Sequence, residues 1–158
     1  MSDFSHLDEK GQATMVDVGQ KQVTLRTATA RSIVSLPAEV LEKFAQDDIQ
    51  TKKGSVLQTA IIAGIMGAKK TSELIPLCHP LGLDNCQIQI HLNQAQELVI
   101  DCTASLTAKT GVEMEALVGA SVAALTVYDM CKALSHDIVI KETRLMQKTG
   151  GKRDFTRA

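Results

Sequence analysis

From Lys109 to Lys132 the chain carries apolar and small residues around most of a helical wheel, interrupted by Glu113 and Glu115 at one end and by Asp129 and Lys132 at the other. A helix that is apolar on most sides must be covered on most sides, and one sheet covers only one of them. The pattern therefore demands a packed core, and it implies a further surface buried against another subunit. The ionisable groups add a second constraint: on a buried helix each must be paired, desolvated with a shifted pKa, or turned toward a polar cleft. The apolar run at 116–131 is shorter than a bilayer span and holds Asp129, which argues for a core helix.

The rest of the chain supplies a sheet for that helix. Residues 13–18 and 22–35 have the alternating, β-branched character of strands. In the second of these, Val23, Leu25, Thr27 and Thr29 share one face and Arg26 stands on the other, read as the polar one. Pro37 suits a helix first turn, and Val40, Leu41, Phe44 and Ala45 predict a short helix ending near Asp48, followed by a loop from Gln50 to Ser55. From Val56 to Lys69, Ala60, Ala63, Gly64, Gly67 and Ala68 predict a helix whose small residues permit close approach of another backbone. Cys86, Ile88, Ile90 and Leu92, then Leu98, Ile100, Cys102 and Ala104, alternate with polar residues on either side of Asn93–Glu97, which predicts a hairpin with one wet face. Ile138 to Ile140 with Leu145 marks a last strand.

This order predicts an α+β domain, a largely antiparallel sheet with helices packed on one face, ferredoxin-like in connection. Residues 1–11 are polar and read as a flexible N-terminus, with one domain over 12–158; a chain of 158 residues and 44% hydrophobic content fits a single core. Basic and acidic residues nearly balance at 17 and 18, and aromatic content is 3%, so neither a nucleic-acid groove nor base-stacking platforms are expected. Cys78, Cys86, Cys102 and Cys131 lack paired metal-ligand spacing, which leaves a Cys/His metallohydrolase without its ligands and fits reduced thiols in the cytoplasm. No basic start followed by an apolar stretch marks a signal peptide.

Several positions admit a structural and a functional reading. Asp129 and Lys132, three apart on a helix, are either an ion pair or an acid–base pair. Thr110 to Glu113 matches a capping box, in which Glu113 would bond back to the cap residue, whereas Glu115 has no such role. His79 lies in an extended stretch between Pro76 and Pro80, which would fix where its imidazole points. Lys53 precedes Gly54 at the start of the apolar helix, where a lysine and free N–H groups could meet a phosphate.

Two segments, Lys69–Leu81 with its Leu-Ile-Pro-Leu-Cys-His-Pro core and Lys109–Lys132 with Tyr-Asp-Met-Cys-Lys, resemble the cyclic pyranopterin monophosphate synthase family, the C proteins of molybdenum-cofactor biosynthesis. The likeness continues through Met15–Val18 and Lys148–Lys152 and so covers almost the whole chain. It implies a lyase that converts 3′,8-cyclo-7,8-dihydroguanosine 5′-triphosphate to cyclic pyranopterin monophosphate and pyrophosphate. Lys53, Asp129 and Lys132 match the family's catalytic positions. Leu77, Cys78 and His79 match its product-contacting stretch, Met114 and Glu115 its substrate-contacting pair, with Glu113 beside them, and Arg26, Lys148 and Lys152 its phosphate-handling positions. The resemblance further implies no redox cofactor and no resident metal, though magnesium can accompany the triphosphate, and a homo-hexamer built as a trimer of dimers with sites at the dimer interface. No nucleic-acid or membrane partner is implied. The competing class is a non-catalytic pterin- or nucleotide-binding scaffold with the same pocket. At the tail the family's Gly-Gly-Lys-Ser-Gly becomes Gly150-Gly-Lys-Arg-Asp154, which leaves the role of Lys152 open.

Overall fold

The computed structural model describes residues 4–158. Its main sheet contains β5 (Asn85–Leu92), β6 (Glu97–Ala108), β1 (Thr24–Ser35), β7 (Val139–Thr149) and the two-residue β8 (Phe155–Thr156), in that spatial order and antiparallel throughout. Two long helices cross one face: α2 (Val56–Lys69) lies between β1 and β5 in sequence, and α4 (Glu113–Cys131) between β6 and β7. The result is a split β-α-β-β-α-β connection, the ferredoxin-like arrangement expected, without the additional strand read over 13–18.

Alternation decides what faces the helices. Along β1 the buried positions are Ala28, Ala30, Ser32 and Val34, and along β6 they include Ile100, Cys102, Ala104 and Leu106. Against them α4 turns Ala116, Gly119, Ala120, Ala123, Ala124 and Val127, a stripe at helical spacing. Most of these residues are small, so the helix lies close to the sheet. Ser32 is the polar member of the β1 row, and its Oγ shares a 2.6 Å hydrogen bond with Thr143 Oγ1. Full burial of Leu98 or Ile100 contributes about 2 kcal/mol each. On the outer side of the helical layer Ile62, Met66 and Leu125 stay more than half exposed. By length and composition α4 could cross a membrane, but here it is packed on the sheet and on α2 as a core helix.

The ends of the chain order differ from the sequence expectations. Residues 13–18 form no strand; only Ala13 bridges, to Leu7, and the rest runs extended across one end of the sheet. Of the 1–11 segment, residues 1–3 lie outside the described residues, and residues 4–11 turn about Asp8, whose Oδ1 accepts from the amides of Lys10 and Gln12 at 2.9 and 2.8 Å. The helix expected after Pro37 is the single turn α1 (Ala38–Leu41), and a small second sheet follows: β2 (Phe44–Ala45), β3 (Asp48–Thr51) and β4 (Gly54–Ser55). Gln46 and Asp47 take φ of 52° and 63°, the left-handed pair that closes a two-residue hairpin without the usual Asn-Gly. Asp48 then accepts from the amides of Ile49 and Leu57 and from the hydroxyl of Ser55, which itself caps α2 by accepting from Gln58 N at 3.1 Å.

Candidate functional site

The strands β1, β6 and β7 bring their ends together where Thr24 pairs with Ala108 and Thr27 with Thr149, and α4 starts from the same end. Between them opens a cleft of about 760 Å³. Arg26, Leu77, Cys78, His79, Glu113, Met114, Glu115, Lys148 and Lys152, the whole set matched to binding positions, line it together. They come from a strand start, a turn, a helix start and a strand end, so only the tertiary fold unites them.

Arg26 is not on the wet face. It shares strand parity with Ala28 and Ala30 and continues the helix-facing row to its open end, where its guanidinium donates to the carbonyls of Ala108 and Lys109 at 3.4 and 3.3 Å. The capping box is also absent: the residue before α4 is Val112, with no side-chain cap bond. Glu113 instead accepts from Lys148 Nζ at 3.1 Å across the cleft, because as the first helical residue it faces the end of β7 rather than its own turn. Glu115, two positions on, is 4% exposed. Burial, with the Glu113 charge as a lesser contribution, pushes its carboxyl above the ordinary value. The Cys78 thiol is pushed up as well, by burial first and by Glu115 second.

The 75–78 segment is a turn, with the Cys78 amide donating to Ile75 O, so the extended backbone expected around His79 begins only after it. The His79 ring is held by Nε2 at 2.7 Å from the carbonyl of Val16. A second side chain fastens the same segment, Lys109 Nζ donating to Gly19 O at 2.8 Å. The chain ahead of β1 is thereby laid over the cleft and adds His6, Lys21 and Gln22 to its wall, beside Thr24 at the start of β1. Sequence reading did not single these out: His6 and Lys21 lie in polar stretches without periodicity, and Gln22 and Thr24 fell in the expected strand 22–35 with no motif to mark them. Lys21, Arg26, Lys148 and Lys152 outnumber Glu113 and Glu115 there, and such a surplus draws in an anion.

Lys53, Asp129 and Lys132 are elsewhere. Asp129 stands fourteen residues along α4 from Glu115, about 21 Å at the rise of an α-helix. At that far end Lys132 Nζ donates to Asp129 Oδ1 at 2.7 Å, and both side chains are about half exposed. Asp129 is held below the usual carboxylate range by Lys132, with Lys53 on the β3–β4 turn contributing from a distance, and Lys132 is raised by the same partner. Among the described residues no three His, Cys, Asp or Glu side chains gather as metal ligands.

Comparison with known proteins finds relatives that match nearly the whole chain. A family model described as the MoaC family matches residues 15–151. The cyclic pyranopterin monophosphate synthase of Xanthomonas campestris pv. campestris strain 8004 is 55% identical over 152 residues, 96% of this chain and 92% of that one. The molybdenum cofactor biosynthesis bifunctional protein of a Synechocystis strain is 49% identical over 97% of this chain and 45% of its own, and molybdenum cofactor biosynthesis protein 1 of Drosophila melanogaster 52% over 99% and 27%.

Proposed function

The chain belongs to the MoaC family, and from that premise we propose how its two clusters share the work of one reaction. Its activity is that of a lyase forming cyclic pyranopterin monophosphate in molybdenum-cofactor biosynthesis. The substrate is the 3′,8-cyclo-7,8-dihydroguanosine 5′-triphosphate. Closing the cyclic phosphate forms a P–O bond at the α-phosphorus as the bond to pyrophosphate breaks; the attacking hydroxyl loses a proton and the leaving group's charge needs neutralising.

The single observation that carries the binding half is the convergence of Arg26, His79, Glu115, Lys148 and Lys152 on one cleft. Glu115 accepts the N–H donors of the guanine-derived edge, Met114 and Leu77 pack on the rings, and Arg26, Lys148 and Lys152 hold the phosphates. Lys148 reaches them by exchanging Glu113 for a phosphate oxygen.

Lys53, Asp129 and Lys132 form the acid–base set. The ion pair with Asp129 holds Lys132 protonated and raises it, so the lysine can give its proton to a departing group only once substrate or a second copy breaks that pair. Since these groups lie about 21 Å from the cleft of their own chain, the complete site joins the cleft of one copy to the acid–base end of another. Ile62, Met66 and Leu125, exposed on the helical layer, support such an assembly, a homo-hexamer built as a trimer of dimers. The reaction uses no redox cofactor, and magnesium enters only with the triphosphate. It runs in the cytoplasm, a reading supported by four cysteines that remain unpaired.

The test is direct: incubation with the cyclic dihydroguanosine triphosphate should release pyrophosphate and yield the pyranopterin in equal amounts. Tight binding without either product would reverse the assignment.

A further inference from the structure

The loop after β7 runs Gly150-Gly-Lys-Arg-Asp154 where Gly-Gly-Lys-Ser-Gly was expected, and the structure gives Asp154 a task. Gly150 opens the loop at φ 87°, and its amide donates to Asp154 Oδ1 at 3.2 Å. Its carbonyl accepts from Thr24 Oγ1 at 2.7 Å, and a Cβ on it would stand 1.9 Å from Leu25 O, so the loop's start is pressed onto β1. The loop's end is fixed as well, because Phe155 pairs back to Lys148. Between these points Gly151 lies against Arg26, whose Nη1 would be 3.1 Å from an added Cβ, and Lys152 reaches the cleft wall. Asp154 itself does not line the cleft.

A lysine is a point charge on a flexible stem, so where its charge sits depends on the backbone it leaves from. Within Gly150–Asp154 the described side-chain bond that ties the loop's end to its start is the Asp154 carboxylate.

We propose that Asp154 is a positioning residue for the phosphate end of the cleft: through the Gly150 amide it closes the loop, keeping Gly151 against Arg26 and Lys152 in the cleft. This rests on the reading that Arg26, Lys148 and Lys152 hold the substrate's phosphates. It assigns a role to a residue at which the family's usual Gly is replaced.

The experiment compares Asp154→Ala, Asp154→Asn and Lys152→Ala in the full-length enzyme, with kcat and KM for the cyclic triphosphate, product affinity and melting temperature measured for each. Loss of one exposed charge-assisted bond should raise KM about fivefold in Asp154→Ala, with kcat, melting and product affinity close to wild type. Asp154→Asn keeps an acceptor oxygen without the charge and should restore KM. A wild-type or lowered KM in Asp154→Ala overturns the proposal, as does an Asn variant that behaves like Ala. A lower melting temperature with a parallel fall in kcat would make Asp154 a purely structural residue and overturns it too. If Lys152→Ala leaves KM unchanged, the phosphate reading falls and takes this one with it; a Lys152-dependent KM indifferent to Asp154 removes only the positioning role.

Discussion

Glu115 is buried at the floor of a cleft with its ionisation disfavoured, an arrangement that weakens the folded state and suits a ligand. Its folded pKa lies above the ordinary 4.5, so as pH rises the unfolded chain loses this proton first and stability falls through the window above 4.5. Glu115→Gln should therefore melt higher than wild type at neutral pH, with the gap closing in acid; a scan showing the wild type more stable at pH 7 would refute it. The same variant should lose about 10- to 100-fold in substrate affinity, the magnitude of hydrogen bonds to a charged acceptor. At the other end of α4 the shift is again upward, but for a base and from a partner's charge: Asp129 raises Lys132 above 10.5, so Asp129→Asn should bring the Lys132 ammonium titration down, as NMR of the labelled lysine would record. An unchanged titration would separate the two residues. Motifs singled these residues out, but not their geometry. The box pattern at Thr110–Glu113 is local, whereas the pairing of Glu113 with Lys148 depends on a strand end 35 residues away. Arg26 was misplaced because strand parity says which residues share a face and not which face is covered.

The two long helices were the most readable elements, since α2 starts and ends where its pattern of small residues does. What those residues are for appears only in the packing: a Cβ on Gly64 would meet Ile88 Cδ1 at 2.3 Å and Gly119 O at 2.8 Å, and one on Gly119 would meet Cys102 Sγ at 2.5 Å. Gly64→Ala gains helix propensity of about 1 kcal/mol yet must displace backbone and core, a strain of about 1–3 kcal/mol. Gly119→Ala faces the same opposition. Denaturant melts should show both variants less stable than wild type, and a stabilised Gly64→Ala would mean that α2 and α4 pack less closely. The strands β2, β3 and β4 were missed for a physical reason. Segments of two to four residues show no period, and Gln46-Asp47 adopts left-handed turn angles without glycine.

At the scale of the molecule, the order of strand and helix patterns was enough to anticipate an α+β domain with a largely antiparallel sheet and helices on one face, although it also read a strand over 13–18 that does not form. It could not reveal that the candidate residues fall into two groups at opposite ends of α4, since a sequence match places residues on a motif and not in space. That division is what an interfacial site requires, and it makes a prediction no single-chain site would. Lys132→Ala damages only the acid–base end and Lys148→Ala only the cleft, and each should reduce turnover by about 10²- to 10⁴-fold if proton transfer or phosphate placement is lost. If a complete site takes one end from each of two chains, co-assembling the two inactive variants creates mixed pairs in which one site of two has both ends intact. Random pairing makes half the dimers mixed, so about a quarter of wild-type activity should return. Light scattering on the same samples should give masses well above the 17.0 kDa chain. No recovery from a co-assembled mixture, or full activity in a monomer, would place the whole reaction within one chain and require Lys53, Asp129 and Lys132 to act outside it.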